Sequence, residues 1–272
     1  MRTASFPYFI ALAALGCGVV SAAASSNEWT KTWVITAKPD LRVETNDGAV
    51  TIHVWDEKKI EAVVTARGWE IGSSDVRIHE RQIGDRVELE ARVPDWHVDF
   101  LNFSERSLHI DLHVPRETRT DVHSGDGSVD VSGLQGEVRI NTGDGSIHAM
   151  GMGGSLDAHT GDGSVRADGR FDSLNVRTGD GSVDVNVSAG SRVASAWRIE
   201  TGDGGVNVRL PHELSADLDV HTGDGSLDVD LPLTMKSANT GEDRKDLHGK
   251  LNGGGQPVYI RTGDGGVHVR GS

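Results

Sequence analysis

The sequence predicts an all-β protein, a parallel β-solenoid of the single-stranded, right-handed β-helix kind with coils of about 18–21 residues. Three observations carry that expectation. A short corner motif recurs at near-constant spacing, the residues on both sides of it alternate apolar and polar, and the composition favours turns and small core side chains over helices.

The corner reads SGDGS at Ser124, TGDGS at Thr142, Thr160, Thr178 and Thr222, and TGDGG at Thr201 and Thr262, with a worn copy, TNDGA, at Thr45. Its structural residues are Gly125, Asp126 and Gly127; Gly143, Asp144 and Gly145; Gly161, Asp162 and Gly163; Gly179, Asp180 and Gly181; Gly202, Asp203 and Gly204; Gly223, Asp224 and Gly225; and Gly263, Asp264 and Gly265. Successive central acids lie 18, 18, 18, 23, 21 and 40 residues apart, and the last gap reads as two turns of the repeat.

Strand patterning comes next. Pairs such as Val138/Ile140 and Leu174/Val176 precede the corners, and pairs such as Val129/Val131 and Val183/Val185 follow them, which is the period of a strand with one buried face. The unit is therefore strand, tight corner, strand, looser turn. A sharp corner calls for positive φ, which glycine adopts without penalty. The aspartate is expected to bond its own backbone two residues on, as Asx turns do, and the flanking Thr and Ser to stack their hydroxyls.

An Asp-Gly pair between alternating strands also signals a hairpin. An antiparallel meander, however, leaves one apolar face to be covered by a second layer, and no helical stretch is present to supply it. Coiling buries that face instead. Four inner side chains contribute roughly 6–12 kcal/mol of gross burial per coil, less than the cost of ordering ~18 residues, so coils must stack. Taken in chain order, the outward columns Asp130, His148, Arg166, Asp184, Asn207, Asp228, His268 and His123, Asn141, His159, Arg177, Glu200, His221, Arg261 place no two identical charges in consecutive copies. That favours parallel stacking, because like charges in adjacent rows repel.

Glycine reaches 35 of 272 residues, while aromatics are 5% and the formal charge is −14. No basic stripe is available to neutralise phosphates, so nucleic acid is excluded as a partner. Residues 1–24, with Arg2, an apolar run from Phe9 to Val20 and small residues up to Ala24, read as a secretory signal peptide. The run is too short for a membrane anchor. Localisation is then periplasmic, cell-surface or secreted. A rival reading acylates Cys17, the only cysteine, as a lipoprotein. Residues 25–120 read as irregular coils and a cap with drifted corners, continuous as one domain with the regular array over 121–272.

The TGDGS-V-x-V units, preceded by Val114-Pro115 and followed by the ending GGGQPVYIRTGDGGVHV from Gly253 to Val269, resemble the bacterial putative-adhesin family of unknown function. The likeness covers roughly residues 38–270. It implies a signal peptide followed by a single-stranded β-helix and an adhesin-like role, and it carries over no catalytic residue.

Two stretches break the pattern. Asp95 to Arg106 gathers Trp96, His97, Phe100 and Phe103, a candidate partner-binding loop or, more simply, a cap on the stack. Lys236 to Gly255 is polar and Gly-rich and reads as a mobile surface loop. The aspartate column invites calcium, yet the nonapeptide calcium roll needs an Asp where this chain has apolar residues such as Ile147, Val165 and Val183. Calcium is disfavoured, and no cofactor or metal is expected. No HExxH, GxSxG, phosphate loop or mature thiol occurs. The sequence thus reads as a non-enzymatic, exported structural or adhesin-like binding protein contacting a protein or glycan of the cell envelope or beyond, the alternative being a carbohydrate-active β-helix lyase or hydrolase.

Overall fold

The structure is a computed structural model and describes residues 27–72, 75–93, 106–238 and 245–272. Every regular element among them is a strand. The N-terminal part holds β1 (Glu28–Val34), β2 (Asp40–Thr45), β3 (Gly48–Trp55), β4 (Lys59–Arg67), β5 (Arg77–Ile83), β6 (Arg86–Arg92) and β7 (Ser107–Pro115). The repeats supply β8 (Arg119–Ser124), β9 (Val129–Ser132), β10 (Gln135–Thr142), β11 (Ile147–Thr160), β12 (Val165–Thr178), β13 (Val183–Val187), β14 (Trp197–Thr201), β15 (Val206–Leu210), β16 (Ala216–Thr222) and β17 (Leu227–Asp230). The tail adds β18 (Leu233–Ala238), β19 (Asp246–Leu251), β20 (Pro257–Thr262) and β21 (Val267–Gly271).

Alternation decides which side chains go inside. In β16 the residues Ala216, Leu218, Val220 and Thr222 are buried and those between them are not, as a two-residue side-chain period requires. All strands join one large, mostly parallel sheet. It runs as two ladders, because β11 and β12 are long enough to give one half to each. Strands entering the corners stack in parallel as β6, β2, β8, β10, β11, β12, β14, β20, β16. Those leaving the corners stack as β7, β3, β9, β11, β12, β13, β15, β21, β17. Buried residues of both ladders form one apolar core. Equivalent residues pair: Val165 lies between Ile147 and Val183, eighteen residues before and after it.

The layer order departs from the chain order at both ends. The last corner, at Thr262, lies between those at Thr201 and Thr222, because β20 pairs with both β14 and β16 and β21 with both β15 and β17. The 40-residue gap is therefore not two further turns. The chain runs out to a hairpin, β18–β19, whose second strand covers the free edge of β16 antiparallel, and then returns to fill the layer it had skipped. Covering an edge satisfies backbone groups that otherwise invite foreign strands. The expectation of a surface loop over Lys236 to Gly255 is corrected accordingly, since most of that segment is this hairpin and its return.

The N-terminal part is the same coil only at the worn Thr45 corner, where β2 and β3 stack on β8 and β9. β6 and β7 stack beyond β2 and β3 although they follow them in the chain. The pairs β4–β7, β1–β4 and β5–β6 are antiparallel, so meander pieces close this end of the stack.

The corners correct a second expectation. None of their glycines has positive φ; that conformation falls instead on glycines of the looser turns, such as Gly133, Gly151 and Gly190. What requires glycine is the layer below. A Cβ on Gly145, Gly163 or Gly181 would lie 2.2, 2.1 or 2.1 Å from the carbonyl oxygen of the equivalent glycine one layer away.

The threonines complete the corner from inside. Thr178 Oγ1 donates to Gly163 O at 2.7 Å and accepts from Gly181 N–H at 3.2 Å, and Thr160 and Thr201 repeat both bonds. The threonine hydroxyls thus bond backbone, while the corner serines Ser164 and Ser182 do share a hydroxyl hydrogen bond of 3.2 Å; no corner aspartate among the described residues forms the expected Asx bond. Thr178→Val keeps the shape but strands a buried donor and acceptor, and is expected to cost about 2–4 kcal/mol in chemical denaturation. Thr178→Ser should recover most of it, since Ser124 makes the same two bonds.

Candidate functional site

Three outward surfaces result from this stacking, and the chemistry of each follows from its register. The first is the corner ridge, where Asp47, Asp126, Asp144, Asp162, Asp180, Asp203, Asp264 and Asp224 succeed one another in layer order about 4.8 Å apart. Burial, and then the charge of Asp126, push the Asp47 carboxyl above the usual range. At the other end a hydrogen bond from Lys245, 2.7 Å long, holds Asp224 below it. A carboxyl raised in the folded state makes stability fall as pH climbs from the unfolded value, near 4, through the folded one. Asp47→Asn should flatten that decline in melting temperature against pH; an unchanged slope would show that Asp47 is not strained. Among the described residues, no group of three or more His, Cys, Asp or Glu converges to hold a metal ion.

The second surface is the outer side of the entering ladder, whose charges are largely matched. Arg177 meets Glu200 at 3.2 Å, Asp157 accepts from His159 at 2.9 Å and from Asn175 at 2.6 Å, and Arg198 and Arg261 both lie over the Tyr259 ring. Exposed pairs of this kind contribute little each, and Asp121 Oδ1, His123 Nδ1 and Asn175 Oδ1 on this side have no hydrogen-bond partner.

The third surface is a groove of about 610 Å³ on the leaving ladder, running from β11 to β21. Two columns line it. One reads Arg166, Asp184, Asn207, His268 and the other Asp168, Asn186, Arg209, Arg270. Inside it Arg166 reaches Asp184 at 3.5 Å and Asn186 donates to Asp168 at 2.6 Å. Met150, 42% exposed, closes one end. Arg270 is 3.8 Å from Asp228, beyond the groove. Asn207 and Arg209 make no side-chain hydrogen bond or ion pair among the described residues.

Of the residues singled out from sequence, the corner glycines and aspartates line up along the ridge. Trp96, His97, Phe100 and Phe103 lie outside the described residues. The groove was missed, because one of its columns was compared only in chain order, the other, with Arg209 and Arg270, was not compared at all, and the intercalated layer changes who neighbours whom.

A stack of mostly parallel strands around one apolar core defines the class: a β repeat protein. The chain belongs to the Toastrack DUF4097 family, whose model matches residues 43–270. Three crystal structures are similar in outline. A putative cell adhesion protein from Clostridium sporogenes ATCC 15579 is 14% identical, over 90% of this chain and 100% of that one, with a TM-score of 0.42. Putative adhesins from Bacteroides fragilis NCTC 9343 (10% identity, 91% and 98% covered, TM-score 0.37) and Parabacteroides merdae ATCC 43184 (11%, 90% and 95%, 0.35) follow. No curated protein matches the chain.

Proposed function

We propose that this chain is an exported, non-catalytic, adhesin-like binding protein whose right-handed β-solenoid, with coils of about 18–21 residues, holds the groove of the leaving ladder toward a cell-envelope or extracellular partner. In this reading residues 1–24 direct export, and residues 25–120 and 121–272 act as one continuous rigid body. The observation that carries it is that the groove presents Asn207 and Arg209 side by side with no hydrogen-bond or ion-pair partner among the described residues. Polar groups held on a rigid scaffold and unmatched within the chain bind without paying again for their ordering.

The test blocks the groove without altering its charge. Binding of the mature chain to isolated envelope material is expected to be lost in Asn207→Trp and retained in Asn141→Trp on the opposite face, with unchanged melting for both. Equal binding by the two variants would reject the groove. Turnover of a polysaccharide by the mature chain, abolished by a single Asp→Ala, would reject the non-catalytic reading in favour of a lyase or hydrolase.

A further inference from the structure

The groove holds a like-charge pair that no acid bridges. Arg209 and Arg270 are register partners in adjacent parallel strands, and both side chains are exposed. Like charges one strand spacing apart destabilise a sheet. At Glu44 and Glu90, also register partners, the chain answers such a clash with a bridge, since Arg92 reaches both, and at Arg77 and Arg92 the same two acids offset one member of the pair. Nothing bridges Arg209 and Arg270. Arg270 has only Asp228, at 3.8 Å, and Arg209 has no acid within 4.0 Å among the described residues.

The clash arises from the intercalated layer. Stacked in chain order, β15 would meet β17 and place Arg209 against Asp230, an attractive pair. The actual order puts Arg270 between them. Two guanidinium groups, each a planar fork of donors, then face the same groove, Arg270 beside Asp228 and Asp230 and Arg209 with no acid of its own. Around them lie Asn207 and the ring of His268, whose buried Nδ1 has no hydrogen-bond partner, while Asp168, Asp184 and Asn186 continue the polar lining. Amides and carboxylates along an extended groove suit the hydroxyls of a sugar chain, and the arginine pair suits an oxyanion carried on it.

We propose that the groove binds an acidic oligosaccharide, with Arg209 and Arg270 together holding one of its carboxylate or sulfate groups. The inference rests on the groove's being the binding surface and adds the chemistry of the ligand. Because the chain carries a net charge of −14, whose repulsion is screened beyond about 8 Å at physiological salt, a short acidic oligosaccharide fits better than a long polyanion.

The experiment titrates the mature chain by calorimetry with tetragalacturonic acid, a heparin-derived tetrasaccharide and neutral cellotetraose. One or both acidic probes are expected to bind, the stronger of them distinguishing carboxylate from sulfate, and cellotetraose to bind at least about tenfold more weakly. Arg209→Gln leaves no acid orphaned, so its fold should be intact by melting temperature, and its affinity for the acidic probe should fall at least about tenfold. Arg270→Gln should act in the same direction, while Arg261→Gln on the opposite face should have no effect. Equal affinity for cellotetraose, undiminished binding by the Arg209 and Arg270 variants, or no binding of either acidic probe would overturn the proposal. In any of those cases, envelope binding still lost in Asn207→Trp would leave the binding-scaffold reading standing, whereas envelope binding kept in that variant would reject both.

Discussion

Removal of residues 257–272 is expected to unfold more of the protein than those residues themselves. The deleted strands β20 and β21 carry Val258, Ile260, Val267 and Val269, all fully buried, whose burial contributes roughly 6–12 kcal/mol gross. That is comparable to the whole net stability of a typical domain. More tellingly, the deleted layer is internal. Its loss removes two interfaces, one with β14 and β15 and one with β16 and β17, and leaves the layer around the Thr222 corner without its parallel neighbour. Hydrogen exchange should therefore show protection lost across residues 216–230 as well as a lowered melting temperature. A stack in chain order would behave differently, since trimming its last coil removes one interface and leaves residues 216–230 protected. Protection retained there would sink the intercalated order.

Gly204→Ala is expected to destabilise by at least about 3 kcal/mol, although it adds a single methyl group at a surface corner. The new Cβ would lie 2.0 Å from Gly181 O and 2.6 Å from Gly181 C. Both are backbone atoms held by the ladder, so relief requires separating the layers, which breaks bonds such as Thr201 Oγ1 to Gly181 O at 2.8 Å. The adjacent Gly205→Ser provides the control. Its Cβ meets nothing closer than Gly266 O at 3.7 Å, other copies of the corner carry Ser there, and the change should stay within about 0.5 kcal/mol. Gly84→Ala separates the mechanisms further: φ is +61° there and the surrounding space is open, so only the left-handed strain of about 1–2 kcal/mol applies. Urea midpoints with constant slopes would rank the three. A Gly204→Ala cost no larger than that of Gly84→Ala would mean that layer contact is not why the corners keep glycine.

These expectations mark where the sequence could be read and where it could not. Alternation across Val138/Ile140 or Val183/Val185 is a local signal with a local cause, and it placed the buried residues correctly because a strand has only two sides. The reason for the glycines was misread because Gly-Asp-Gly is compatible with both a positive φ and a close approach, and only the position of the neighbouring carbonyl distinguishes them. The groove was illegible for a related reason. Its defining pair, Arg209 and Arg270, is 61 residues apart in the chain, and nothing local to either residue brings them together.

By itself, then, the sequence determined the coil: where the backbone bends, which side chains face inward, and that the turns must stack in parallel to bury them. Only the tertiary structure decided which coil lies on which. Corners so nearly identical present almost the same backbone and the same inner valines to any neighbour, so pairing energy hardly distinguishes one order from another. The choice falls to long-range closure, in which the β18–β19 hairpin covers the edge of β16 and the returning chain fills the layer beneath, setting two arginines side by side.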